Sequence, residues 1–202
     1  MQKKSSKRLN MGDEKEESIS FISDYEGKNE PDLTKEVKGK RIPILPLRNM
    51  VMFPGVILPI AIGRKSSVKL IEYSDKNDAY IGLFCQKDEE VDEPDFNDIY
   101  NIGTVGKVLR ILDMPDDTKT VIIQGYQKCS LKSIDETEPY KKGVVETITE
   151  DPYDTKSKEL EALVESCKDA GKRFLKIGSD QHSDATFALQ NIQNKRFLIN
   201  FL

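Results

Sequence analysis

Large apolar side chains are few over residues 1–41 and crowded over residues 42–62, where Ile, Leu, Val and Met dominate. A packed core is therefore expected from about Ile42 onward, because a segment poor in apolar side chains cannot offset the entropy of ordering its backbone. Upstream, basic (Lys3, Lys4, Lys7, Arg8) and acidic (Asp13, Glu14, Glu16, Glu17) clusters surround a small apolar island at Ile19, Phe21 and Ile22. Residues 1–40 are expected to be a disordered polar extension.

From Ile42 the pattern is that of strands. Residues 42–47 form a short apolar run broken by Pro43 and Pro46, which suits an edge or a curved strand, since proline cannot donate to a ladder. Pro54-Gly55 marks a turn. Residues 56–62 read as a second strand, with Pro59 again asking for an edge or a bulge. A short helix is expected over residues 63–75, with Ser66 and Ser67 as caps and Asn77 closing it. Residues 79–85 (Tyr80, Ile81, Leu83, Phe84) form a buried strand, and residues 102–112 a long one. The segment 114–118 then separates that strand from residues 120–124 as a hairpin turn does. Cys129, Leu131 and Ile134 continue the extension, and residues 142–149 give a last strand. Strands at short intervals, several bent by Pro or Gly, predict a small barrel or sandwich with one inserted helix.

Near residue 155 the period changes. Leu160, Leu163, Val164, Cys167, Phe174 and Leu175 recur at steps of three and four, which predicts an amphipathic helix over residues 157–177. Residues 178–183 break it, and a second helix is expected from Asp184 to Leu202. Its closing residues, Phe197, Leu198, Ile199, Phe201 and Leu202, are almost all large and apolar. They call for a partner, so the chain reads as part of a larger protein or as one that self-associates there.

Charge and composition narrow the chemistry. The formal net charge is −4, and the one dense cluster outside the first forty residues is acidic, from Asp88 to Asp98. Nucleic-acid binders concentrate positive charge on one face, so that class is disfavoured. The acidic run lacks the spacing and glycine of an EF-hand, and reads as a solvated loop. Cys85, Cys129 and Cys167 are widely spaced, and His182 is the single histidine, which leaves no structural zinc set. Three reduced, mostly buried thiols are expected. The apolar stretch at residues 51–62 is short and interrupted by Pro54, Gly55 and Pro59, so no membrane span is expected and the protein is placed in the cytoplasm.

Catalytic signatures are not found. A phosphate-cradling loop needs Gly-Lys followed by Ser or Thr to hold magnesium, whereas here each such lysine precedes Asn, Arg or Val. His182 lies beside Ser183 and Asp184, and neighbours in sequence do not form a nucleophilic triad. Mobile carboxylates in the acidic loop have nothing to tune them as acids or bases. The residues point to binding, with no catalytic, cofactor or metal residue to name.

Pro46-Leu47-Arg48, Phe53-Pro54, Leu58-Pro59 and Gly63-Arg64 occur in that order, followed by Ile102-Gly103-Thr104-Val105, Met114-Pro115-Asp116 and the apolar stretch 121–125. The ordered set resembles the amino-terminal, substrate-recognition domain of Lon ATP-dependent proteases. The resemblance implies an α+β fold: a PUA-like curved β-barrel or sandwich over residues 41–152 with one inserted short helix, then the start of an α-helical bundle over residues 153–202. It implies a parent protein whose AAA+ ATPase domain takes ATP and Mg and whose protease domain carries a Ser-Lys dyad, neither being in this chain. It also implies a homohexamer and, as partners, unfolded or tagged protein substrates. Where many relatives have Pro-Asp-Gly, this chain has Pro115-Asp116-Asp117, so a longer or different turn is expected. A stand-alone PUA-like module for peptide or nucleic acid is the alternative.

Candidate contact residues cluster at the Pro-Gly turn. Met50 to Phe53 are four consecutive apolar residues, and a strand alternates faces, so either Met50/Met52 or Val51/Phe53 must point away from the core. Methionine adapts to varied partners, which makes Met50, Met52 and Phe53 candidates for substrate contact, with Pro54 and Met114 completing the patch. Inward packing of alternate residues is the competing expectation. Arg48 and Arg64 are expected in salt bridges or capping roles.

Overall fold

The computed structural model describes residues 33–114, 119–149, 154, 157–177, 189, 190, 192 and 194–202. Six strands form one mixed sheet: β1 (Arg41–Leu47), β2 (Ile57–Ile62), β3 (Ile81–Cys85), β4 (Ile102–Asp113), β5 (Lys119–Glu136) and β6 (Lys142–Thr147). Their order is β2-β5-β4-β3-β1-β6, and β5 also pairs with β6, so the pairings run in a circuit from β5 back to β5. Only β1 and β3 run parallel. The chain between them supplies β2 and the helix α2 (Lys65–Lys76), which lies against β1 and β4.

Strand β1 explains how two prolines enter a sheet. Arg41, Ile42 and Pro43 pair with β6, whereas residues 44–47 pair with β3. Each half is thus bonded mainly on one side, and a missing proline N–H leaves no gap in a two-sided ladder. The strand expected at an edge is central in the order but one-sided along its length. Pro59 lies on β2, an edge strand that pairs with β5 alone.

Two clusters of side chains fill the β-rich part, one on each side of β1. Leu45 and Leu47 join Ile60, Ile62, Leu70, Ile71, Ile81, Leu83, Val121 and Ile123. Ile42 and Ile44 join Phe84, Ile99, Val105, Cys129, Leu131 and Val145. Burial on both faces is why the apolar runs of β1 and β3 do not alternate with polar residues. The hairpin pairs Asp113 with Lys119, and residues 115–118 between them lie outside the described residues.

Four expectations need correction. The polar extension does not reach residue 40: α1 (Thr34–Val37) is folded, and Leu33 and Val37 are wholly buried in the second cluster. Two apolar side chains four apart suffice to dock one helical turn, a signal too short to stand out in a charged segment. Residues 1–32 lie outside the described residues. At α2, Ser66 and Ser67 do not cap; Arg64 holds the N-cap position without a side-chain bond, and Ser67 is buried in the helix. Asn77 is the C-cap, as expected. The expected continuous helix 184–202 is interrupted: Asn194 caps a separate helix, α4 (Lys195–Phe201), its side chain accepting from Phe197 N at 3.0 Å. Residues 184–188 are not described. Finally, Cys129 is buried and Cys85 half-buried, but Cys167 is exposed.

Helix α3 (Lys158–Ile177) has the expected period, and Val164 and Leu175 pack against a third cluster formed by Leu189, Ile192, Phe197 and Leu198. Other members of its stripe, Leu163 and Phe174, are open to solvent.

Candidate functional site

The segment 48–56 leaves β1 and crosses the β4–β5 ladder before entering β2. Its course is fixed by backbone bonds. Gly55 N donates to Gly125 O at 2.9 Å, and Gly125 N donates to Val56 O at 3.0 Å. Thr104, on β4, donates from its buried hydroxyl to Met52 O at 2.7 Å. Asn200, on α4, donates to Pro54 O at 3.1 Å, which ties the helical part to the turn. Gly125 is required where the segment crosses, since a Cβ there would stand 2.4 Å from Phe53 O. Gly55 (φ 81°) and Asn49 (φ 49°) take the two left-handed positions, which Gly and Asn tolerate best.

This anchoring decides which residues of the candidate patch face out. Met52 is 2% exposed and belongs to the first core cluster, and Pro54 is buried with it. Met50 is half-buried against the same cluster. Val51 is 52% exposed and Phe53 41%. Alternation across Met50–Phe53 is present although these residues form no strand: Val51 and the candidate Phe53 face out, whereas the candidates Met52 and Pro54 are buried. Contacts from far along the chain fix the face: Thr104 and Gly125 hold the backbone of this segment while Met52 packs into the first cluster, and nothing local to residues 50–53 encodes that. Met114, at the far end of β4, is exposed.

Exposed apolar residues on β4 extend the set beyond those read from the sequence. The ladder shifts register between Val108 and Arg110, so Leu109 is the extra residue of a bulge and turns outward. Leu112 is exposed as well. The sequence does hold a signal: Val108, Leu109, Ile111 and Leu112 are more apolar residues than one face of a strand can bury.

Of the two arginines, Arg48 forms the expected salt bridge, whereas Arg64 bonds neutral acceptors and its side chain does not cap α2. Arg48 pairs with Asp92 at 2.7 Å. Arg64 donates from Nη2 to Gln86 Oε1 at 2.6 Å and to Val91 O at 3.2 Å. Burial, and then the nearby Arg48 charge, push the Arg64 guanidinium below its usual range, against the opposing pull of Glu93 and Asp92. Lys141 reaches Glu93 at 3.2 Å, and Asn49 bonds Glu89. The acidic loop is thus fastened along one side by cations, though most of its carboxylates remain exposed. Among the described residues, no group of three or more His, Cys, Asp or Glu is placed to hold a metal ion. No described helix is long and apolar enough to cross a membrane. His182 lies outside the described residues.

Among the described residues the sheet presents solvent-facing apolar side chains on a turn held by hydrogen bonds, a surface suited to binding. The chain's sequence relatives say of which kind of domain it is part. The family model for the ATP-dependent protease La (LON) substrate-binding domain matches residues 41–202. The Lon protease of Cytophaga hutchinsonii is 36% identical over 186 residues, covering 92% of this chain and 23% of that protein. That of Flavobacterium johnsoniae is 38% identical over 174 residues, covering 86% and 21%. The N-terminal domain of the Mycobacterium avium complex Lon protease shares the fold, with a TM-score of 0.59 at 15% identity and 80% of each chain covered. The chain belongs to the Lon substrate-binding domain family. It spans about a fifth of the length of the curated relatives it matches.

Proposed function

We propose that this domain selects substrates for a longer ATP-dependent serine protease of the Lon type by holding unfolded segments of protein against the apolar turn at Val51 and Phe53. The parent's ATPase domain would take ATP and Mg, and its hexameric ring would present several copies of the turn at once. A cytoplasmic setting and a PUA-like barrel for the β-rich part belong to the same reading. The observation that carries it is the exposure of two large apolar side chains on a backbone fixed by Thr104, Gly125 and Asn200. Apolar side chains on a backbone already held in place gain by covering and cost less ordering entropy than those on a mobile segment. Both are already about half covered, so burying what remains contributes roughly 1.5–3 kcal/mol gross, much of it offset by ordering the bound chain; a single domain binds weakly and the ring supplies avidity.

The test replaces Val51 and Phe53 together with Ser and follows binding of a permanently unfolded, carboxamidomethylated protein by NMR titration. The fold should persist and the dissociation constant should rise about tenfold or more, as loss of ~1.4 kcal/mol or more requires. Unchanged affinity with the fold intact would move recognition elsewhere, to Leu109, Leu112 and Met114 first.

A further inference from the structure

Behind the turn a groove of about 480 Å³ opens between β1, β2 and the start of α2. Its apolar wall comes from Leu47, Ile60 and Met50, and its polar rim from Arg48, Arg64 and Asp92. Two features mark it as a place for a ligand of definite chemistry. The first is Arg64 Nε, a buried donor without an acceptor among the described residues. Both acceptors of its Nη2, Gln86 Oε1 and Val91 O, are neutral, so no carboxylate is bonded to this guanidinium. A buried, unpaired donor on a cation is costly and is relieved most by an anion. The second is the pair Arg48–Asp92 at the rim. The Asp92 side chain is 91% exposed and that of Arg48 44%, so the pair is easily exchanged for another carboxylate.

The acidic loop itself shows what fits. Val91 offers Arg64 its backbone carbonyl, Asp92 offers Arg48 a carboxylate at the rim, and Glu93 pairs with Lys141 beside the groove, so the cations here already take oxygen acceptors from an extended segment, while Leu47, Met50 and Ile60 leave an apolar wall for a side chain. We propose that the groove receives an extended peptide at an apolar side chain adjoining a side-chain carboxylate, which takes Arg48 from Asp92 and, with that part of the loop displaced, accepts from Arg64 Nε. Asp92 is then an internal competitor, and the loop sets the threshold that an incoming segment must exceed. The inference rests on the reading that the domain receives protein segments, but it concerns a different surface from Val51 and Phe53. It adds sequence preference to what is otherwise apolar capture.

The experiment titrates the labelled 202-residue chain with the blocked peptide acetyl-Ala-Leu-Asp-Glu-Ala-amide, and with its neutral counterpart carrying Asn and Gln. The acidic peptide should shift the amides of Gly63, Arg64 and Ser67, and the neutral one should not. Arg48→Ala should weaken binding several-fold. Asp92→Asn should tighten it about two- to fivefold, the range an exposed ion pair spans. Glu90→Gln removes the same charge from the same loop without freeing Arg48, and should leave the affinity nearly unchanged. The proposal is overturned if the neutral peptide binds equally well, if Asp92→Asn has no effect or weakens binding, or if Glu90→Gln tightens it as much. Binding only by a peptide with a free carboxyl terminus would also overturn it, in favour of recognition of chain ends. The Val51/Phe53 double variant should bind this peptide normally, so failure here is separable from failure at the turn.

Discussion

Single side chains at the β4–β5 crossing control both the site and the core. Met52 has the same chemistry as a surface methionine, yet its burial makes it structural: Met52→Ala should cost about 2–5 kcal/mol in urea unfolding, while Val51→Ala should cost little. Thr104→Val keeps the shape but leaves Met52 O without its donor, an expected loss of ~1–3 kcal/mol. A further consequence is that residues 51–53 should exchange their amides faster in that variant, because the bond that fixes the outward face is gone. Unchanged stability and exchange would show that packing alone holds the turn. Cys129 offers a test by pH. Burial pushes its thiol up to about 12 from 9.0. Below about pH 9 the thiol is protonated in both states and the protein is at full stability in this respect. As pH rises toward 12 the unfolded chain loses the proton and the folded one keeps it, so stability falls. Unfolding measured at pH 8 and pH 10.5 should therefore fall more steeply in the wild type than in Cys129→Ala. At pH 8, iodoacetamide should label Cys167 quickly and Cys129 only on unfolding.

At the scale of elements, the smallest helix makes the clearest claim. Leu33 and Val37 are wholly buried although they lie in a charged stretch. Thr34 shares a hydrogen bond of 2.9 Å with Thr147 of β6, and Leu33 N donates to Gln127 of β5 at 3.1 Å. Burying the two apolar side chains contributes about 3–6 kcal/mol before the entropy of ordering the segment is subtracted. A chain starting at Arg41 should thus unfold at a clearly lower urea concentration than one starting at Leu33. Equal midpoints would mean that α1 is an ornament. The strands teach a complementary lesson. β5 runs eighteen residues and serves three neighbours, β2, β4 and β6, so it needs register shifts opposite both β4 and β6 to bend. One of those shifts puts Leu109 outside.

The whole molecule combines a closed circuit of strands with a helical part that leaves Phe174, Ile177 and Ile199 exposed. Exposed apolar residues of this kind fit a domain that lies against further protein, and the matched relatives are about four times as long as this chain. The isolated chain should neither hydrolyse ATP nor cleave an unfolded protein, and a coupled-enzyme assay with a fluorescent casein assay checks both; turnover that survives rigorous purification would contradict the reading. The net charge of −4 likewise predicts no salt-sensitive binding of single-stranded RNA.

Sequence by itself determined the family, the change from strand to helix period near residue 155, and the order of strands and α2. Those features are repeated along many residues, so local errors average out, and prolines and glycines punctuate them. It also raised the expectation that one alternate pair among Met50–Phe53 faces outward, and the burial pattern follows it although these residues form no strand. Which pair faces outward was decided by tertiary structure alone, through the bonds of Thr104, fifty-two residues away, and Gly125 to this segment and the packing of Met52 in the core. The same holds for α1, which folds because β5 and β6 offer a place for Leu33 and Val37. It holds as well for the groove, whose arginines, Arg48 and Arg64, are brought to one rim by separate strand ends. Each of these depends on contacts between residues far apart in the chain, and no window of sequence carries the energy of such a contact.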